Sequence, residues 1–198
     1  MARKKDPELN ALRRAEILRG AARIFAEKGF QGARTEEICA AAGVSPGTLF
    51  RYFPDKQAII LAIVEIEFAD YTNDIIRLAN KDGLYWLMGI RGDELLALIR
   101  PSEFNLCADA WMELARDPAR APHLLAMDQE LRDILAARLA QGQKEAWVRA
   151  SVNAVGMANI LLAIFTGLIV DQQQGIRINA DATAQALGDV LKSILVTS

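Results

Sequence analysis

The six residues Ala42-Gly43-Val44-Ser45-Pro46-Gly47 constrain this chain more than any others, because they can end one helix and begin another within a single turn. Gly43 tolerates the left-handed conformation that closes a helix. Ser45 can accept a backbone N–H as an N-cap, and Pro46 suits the first helical position, where its missing N–H is no loss. The spacing therefore predicts a short helix from Thr35, with Thr35 as its N-cap and Glu36 and Glu37 at the positive end of its dipole. A second helix follows over Gly47, Thr48, Leu49, Phe50, Arg51, Tyr52 and Phe53, and Pro54 stops it. Ile38, Cys39 and Ala42 supply the apolar face. Two helices joined through a tight glycine turn, the second starting with small, hydroxyl and basic groups, make a helix-turn-helix whose second helix can enter the major groove of DNA.

Net charge supports that reading only after it is divided along the chain. The 198 residues carry a formal charge of −2, which does not suit a nucleic-acid binder. Residues 1 to 56 hold eleven basic and seven acidic side chains, a net +4, so the remainder is −6. Attraction to phosphate thus belongs to the N-terminal part. The basic run Met1 to Lys5 reads either as a supplementary DNA contact or as a solvated terminus.

Phe25, Lys28-Gly29, Thr35, Ile38, Ala42-Gly43-Val44-Ser45, Gly47-Thr48-Leu49, Tyr52-Phe53 and Lys56 together resemble the signature of the TetR family of transcriptional regulators. The resemblance implies an all-α fold: an N-terminal three-helix helix-turn-helix domain over 1–56, then a larger helical effector-binding and dimerisation domain over 57–198. It implies that Arg34, Thr35, Ser45, Pro46, Gly47, Thr48, Phe50, Arg51, Tyr52 and Lys56 face a double-stranded DNA operator. Among them Arg51 is the expected reader of a guanine, while Thr35, Ser45, Tyr52 and Lys56 would hold phosphates. Phe50 is a departure, standing where the family more often has a tyrosine whose hydroxyl touches a phosphate.

Upstream, Asp6-Pro7 can open a first helix whose apolar stripe includes Leu12, Ile17, Leu18, Ala21 and Phe25 and ends at Lys28-Gly29. Downstream of Pro54, Asp55 should cap a long helix ending near Asn80. The pattern then stays helical, with breaks expected at Gly89 to Asp93, Pro101-Ser102, Asp117-Pro118, Gln141 to Gln143 and Gln174-Gly175. The start of the helix containing Pro122 is left open by that proline.

The run Val152 to Val170 has no charged residue over 19 positions, close to the roughly 20 that span a bilayer. Asn153, Asn159, Thr166 and its glycines, with no basic flank, argue instead for a helix covered on one side by its own domain and on the other by a second subunit. Together with a final helix over about Asp181 to Val196, it forms the expected homodimer interface, near 152–172 and 180–196. The DNA partner is thereby met twice, as a palindrome. No membrane association is expected.

Trp86, Phe104, Cys107, Trp111, Met127 and Phe165 are the candidate lining of a pocket for an unknown, largely apolar small-molecule effector, or else ordinary core. His123 has no evident metal or nucleophile partner and reads as a surface or pocket residue. No cofactor, metal site or catalytic constellation is expected. Cys39 and Cys107 read as reduced packing residues of a cytoplasmic protein. Two other readings stay in view: a constitutive or architectural DNA-binding protein without an effector, and an all-helical enzyme.

Overall fold

The structure, a computed structural model, describes residues 7–100, 103–104 and 107–196. The basic run Met1 to Lys5 and the break at Pro101-Ser102 lie outside them. Among the described residues there are ten helices and no strand: α1 Pro7–Gly32, α2 Thr35–Ala42, α3 Pro46–Tyr52, α4 Lys56–Leu78, α5 Lys81–Met88, α6 Gly92–Leu98, α7 Cys107–Ala115, α8 Ala121–Lys144, α9 Ala154–Gln173 and α10 Ala180–Ile194. The fold is all-α, with the N-terminal helix-turn-helix and the helical C-terminal part expected.

The chain divides into two compact units, residues 1–68 with 102–121 and residues 69–101 with 122–198, and α4 contributes to both. The helix-turn-helix region lies within the first unit. There α1 buries Ile17, Leu18, Ala21, Ala22 and Phe25, and α2 buries Ile38 and Cys39. The two helices cross at Gly20, where a Cβ would stand 2.8 Å from the Ala42 nitrogen, so no larger residue fits without moving backbone. Leu49 and Phe53 from α3, and Ile59, Ile60, Ile63 and Val64 from α4, complete this core. The segment before α7 is joined to α1 by Arg19 Nε donating to Glu103 at 2.6 Å, and α7 itself by Gln31 Nε2 donating to Glu113 at 2.6 Å.

In the second unit α10 packs on α5 and α6. The close approach runs over two glycines, because a Cβ at Gly188 would meet the Met88 carbonyl at 2.5 Å and one at Gly92 the Asp181 carboxylate at 2.3 Å. α5, α9 and α10 begin on asparagine caps, in which Asn80, Asn153 and Asn179 accept from the amides of Gly83, Gly156 and Ala182.

Several boundaries differ from the expectation. Arg34, not Thr35, takes the cap position of α2, with its amide donating to the Glu37 carboxylate at 3.1 Å. Helix α4 ends at Leu78, two residues early, because Asn80 turns to cap α5. Pro122 sits in the first turn of α8, where it is tolerated. Helix α8 runs through the break expected at Gln141 to Gln143 and ends at Lys144. Gly142 is there for packing, since a Cβ on it would come within 2.6 Å of the Trp147 ring. The reversal comes later, at Ala146 with φ 61°.

Candidate nucleic-acid interface

Glycine and serine set the angle between α2 and α3. Gly43 has φ 63° and ψ 36°, and its amide and that of Val44 bond the last carbonyls of α2. Ser45 then caps α3: its hydroxyl accepts from the Thr48 amide at 3.2 Å and donates to the Thr48 hydroxyl at 3.1 Å. In that arrangement Thr48 keeps its own proton to donate outward.

Leu49 and Phe53 point into the core, leaving Pro46, Gly47, Phe50 and Arg51 exposed on one face of α3. These positions, i, i+1, i+4 and i+5, line a single side of a helix. Gly47 is instructive, since a Cβ there would meet nothing within 4 Å and its φ is not in the left-handed region. Packing therefore does not demand glycine at a helical position where glycine is unfavourable by up to about 1 kcal/mol. The Arg51 guanidinium lies over the Tyr52 ring, 5.3 Å from its centre, and Tyr52 is half-buried.

Arg34 is exposed and Thr35 half-buried at the start of α2. Lys56 is differently engaged. Its ammonium donates to the carbonyls of Phe30 at 2.5 Å and Ala33 at 3.2 Å, tying α4 to the end of α1 across 26 residues of sequence. Two of its three N–H groups are thus used within the chain.

Several supports of the site escape sequence reasoning. Lys28 Nζ donates to Glu37 at 2.5 Å, and that contact first, then the Arg34 amide, holds the Glu37 carboxyl below the usual carboxylate range. Arg23 donates to the Ala41 carbonyl at 3.2 Å, and Arg14 lies over the Phe53 ring at 5.3 Å. Both would otherwise count as phosphate-attracting surface. Burial pushes the Cys39 thiol up, in keeping with an inert packing residue. Arg120 reaches both oxygens of Asp55. Its pairing with Asp117 is readable from the i, i+3 spacing, whereas that with Asp55 is not.

The proposed pocket residues are dispersed. Phe104 and Trp111 belong to the first unit, where Trp111 packs its ring 5.6 Å from that of Phe68. In the second unit Trp86 is exposed, Met127 is half-buried on α8, and Phe165 lines an apolar cavity of about 20 Å³ with Ile75, Leu78, Leu84, Leu135 and Leu161. A more polar cleft of about 260 Å³ in the same unit lies among Asn80, Lys81, Arg138, Gln141, Glu145 and Trp147. The side chain of Cys107 is outside the described residues. Among the described residues no three His, Cys, Asp or Glu side chains are grouped to hold a metal ion.

A tightly turned helix pair with a basic, small-residue face on its second member defines a DNA-binding helix-turn-helix protein. Residues 17–63 match the family described as bacterial regulatory proteins, tetR family. Across nearly its whole length the chain is 25% identical to the HTH-type transcriptional regulator UidR of Escherichia coli, over 188 residues covering 93% of this chain and 94% of that protein. It is 26% identical over 186 residues to the HTH-type transcriptional repressor AcnR of Corynebacterium glutamicum, covering 90% and 88%. The solved structure of Salmonella enterica GusR superposes with a TM-score of 0.70 at 26% identity, covering 92% of this chain and 95% of that one. Residues 17–63 thus carry a DNA-binding region of the tetR type, and nearly the whole chain is similar to HTH-type transcriptional regulators.

Proposed function

We propose that this regulator is a cytoplasmic homodimer that represses transcription by binding a palindromic operator, and that a small-molecule effector releases it. The observation that carries the DNA reading is the exposed face of α3, with Gly47 uncrowded and Arg51 beside it. DNA reading belongs to residues 1–56, through Arg34, Thr35, Ser45, Pro46, Gly47, Thr48, Phe50, Arg51 and Tyr52. Residues 57–198 carry pairing and effector response. AcnR, to which the chain is similar, is named a repressor.

The homodimer reading rests on α9. It is long and, on average, apolar enough to cross a membrane, yet Val155 is 64% and Ile160 51% exposed. Asn159, Ala163, Thr166 and Gly167 are exposed on the same side, small or polar groups that let a second helix approach closely. In α10, by contrast, Ala184, Leu187, Leu191 and Ile194 are buried within the chain, which leaves its polar outer side for a partner. Pairing through α9 would set two α3 helices about 34–36 Å apart to meet successive major grooves.

An effector would enlarge the small cavity around Phe165, favouring whichever spacing of the α3 helices suits it. The second reading is a DNA-binding protein with no small-molecule input. Selection of an operator from a random duplex pool, with sedimentation of wild type and Ile160→Glu, tests the first reading. Dimers that bind a palindrome, and monomers of the variant that do not, are expected. A monomeric wild type, or no salt-sensitive DNA binding, would sink it. Quenching of Trp86, Trp111 or Trp147 by a ligand that also releases DNA rejects the second reading.

A further inference from the structure

Phe50 is 51% exposed in the middle of the α3 face, although Leu49 and Phe53 on either side of it are buried. Packing therefore does not account for an aromatic ring at this position. Helical side chains lean toward the N-terminus, over the residues three and four positions earlier. For Phe50 those residues are Gly47, which has no side chain, and Pro46, which is itself exposed. Arg51, next along the same face, is a polar reader, whereas a phenyl ring has neither donor nor acceptor. In the major groove the apolar feature on a base edge is the 5-methyl group of thymine.

We propose that Phe50 reads a thymine through its 5-methyl group, making α3 a two-part reader with Arg51 as the hydrogen-bonding member. The inference rests on the proposed DNA reading and adds a base preference to it. Gly47 serves both purposes, letting the backbone approach and giving the ring room.

The test uses the full-length protein and its selected operator, with each thymine replaced singly by deoxyuridine, which removes the methyl group and keeps every hydrogen-bonding group. Wild type should lose about fourfold in affinity at one position of the half-site, the transfer free energy of about one methyl group, ~0.8 kcal/mol. Phe50→Ala should bind the thymine and uracil operators alike at that position while still responding at any other sensitive one. Phe50→Leu, which keeps an apolar tip, should retain part of the discrimination. Because Phe50 is exposed, melting curves of the variants should match wild type. Salt-sensitive binding by wild type with no position at which Phe50→Ala abolishes the uracil effect overturns the inference and leaves the DNA reading intact. An equal loss by Phe50→Ala on every operator, uracil-containing or not, also overturns it, making the ring a backbone contact. Absence of any DNA binding by wild type removes both.

Discussion

Arg120 donates from one guanidinium nitrogen to both carboxylate oxygens of Asp55, each at 2.9 Å, and Asp55 Oδ1 also accepts from the Ala58 amide at 2.6 Å. One carboxylate thus caps the start of α4 and anchors the turn after α7. The two jobs differ in size. Loss of an N-cap costs about 0.5–2 kcal/mol. The ion pair involves an Asp55 side chain that is 46% exposed, so it contributes about 0.2–1 kcal/mol. Asp55→Ala should therefore destabilise more than Arg120→Ala in urea unfolding, and a double-mutant cycle should give a coupling within that smaller range. Because Arg120→Ala also removes the pair with Asp117, the cycle isolates the Asp55 pair, and a coupling that accounts for the whole loss on Asp55→Ala would show that the cap contributes nothing.

At Gly47 stability and binding should part company. Adding a methyl group meets nothing within 4 Å and improves helix propensity, so Gly47→Ala should leave the melting temperature unchanged or raise it. The same methyl group stands on the face proposed to meet DNA, and operator affinity should fall. If affinity is untouched, the backbone of α3 does not approach the groove at this residue.

For Arg51 the question is what its guanidinium recognises. In the free protein it rests over Tyr52 at 5.3 Å, a geometry that keeps the planar fork oriented. Arg51→Ala should cost about 1–3 kcal/mol of binding and relax preference at a single base position if the contact is bidentate to guanine. An equal loss on all sequences, measured across a library of operator variants, would make it a phosphate contact.

Local chemistry was the legible part of this molecule. The glycine turn, the serine cap and the proline at the first position of α3 are decided by neighbours within a few residues, and they stand where the chain order puts them. What escaped has partners far along the chain. Nothing within a few residues of Lys56 says that its ammonium will be taken by carbonyls 26 and 23 positions earlier. Likewise, Gln141 to Gln143 read as a break because polar residues flank a glycine, and only the Trp147 ring folded back onto Gly142 explains the glycine within a helix. The sequence pattern also offered both α9, as an uncharged run, and the final helix to a partner subunit. It could not say that α10 would be covered by α5 and α6 while α9 kept Val155 and Ile160 in the open.

The ties made by Lys56 change what its removal should do. Its side chain satisfies two part-buried carbonyls, and leaving such groups unpaired costs about 1–3 kcal/mol. Lys56→Met should lower stability by that order and leave the dependence of operator binding on salt unchanged. A slope reduced by about 1 would assign the remaining N–H to a phosphate.

Glu37 gives the fold a pH dependence whose sign follows from its surroundings. The Lys28 ammonium and the Arg34 amide lower its folded pKa, so its stabilising contribution is present above the unfolded value of about 4.3 and disappears as pH falls through the lower folded value. The pair is exposed, with side-chain accessibilities of 45% and 31%, so salt should weaken it as well. Glu37→Gln keeps an oxygen for the Arg34 amide and removes only the charge. At neutral pH and low salt the variant should melt below wild type, and the gap should narrow as the pH drops below the carboxylate range. A gap that persists at pH about 2 would mean that the substitution acts through packing and not through the ion pair with Lys28.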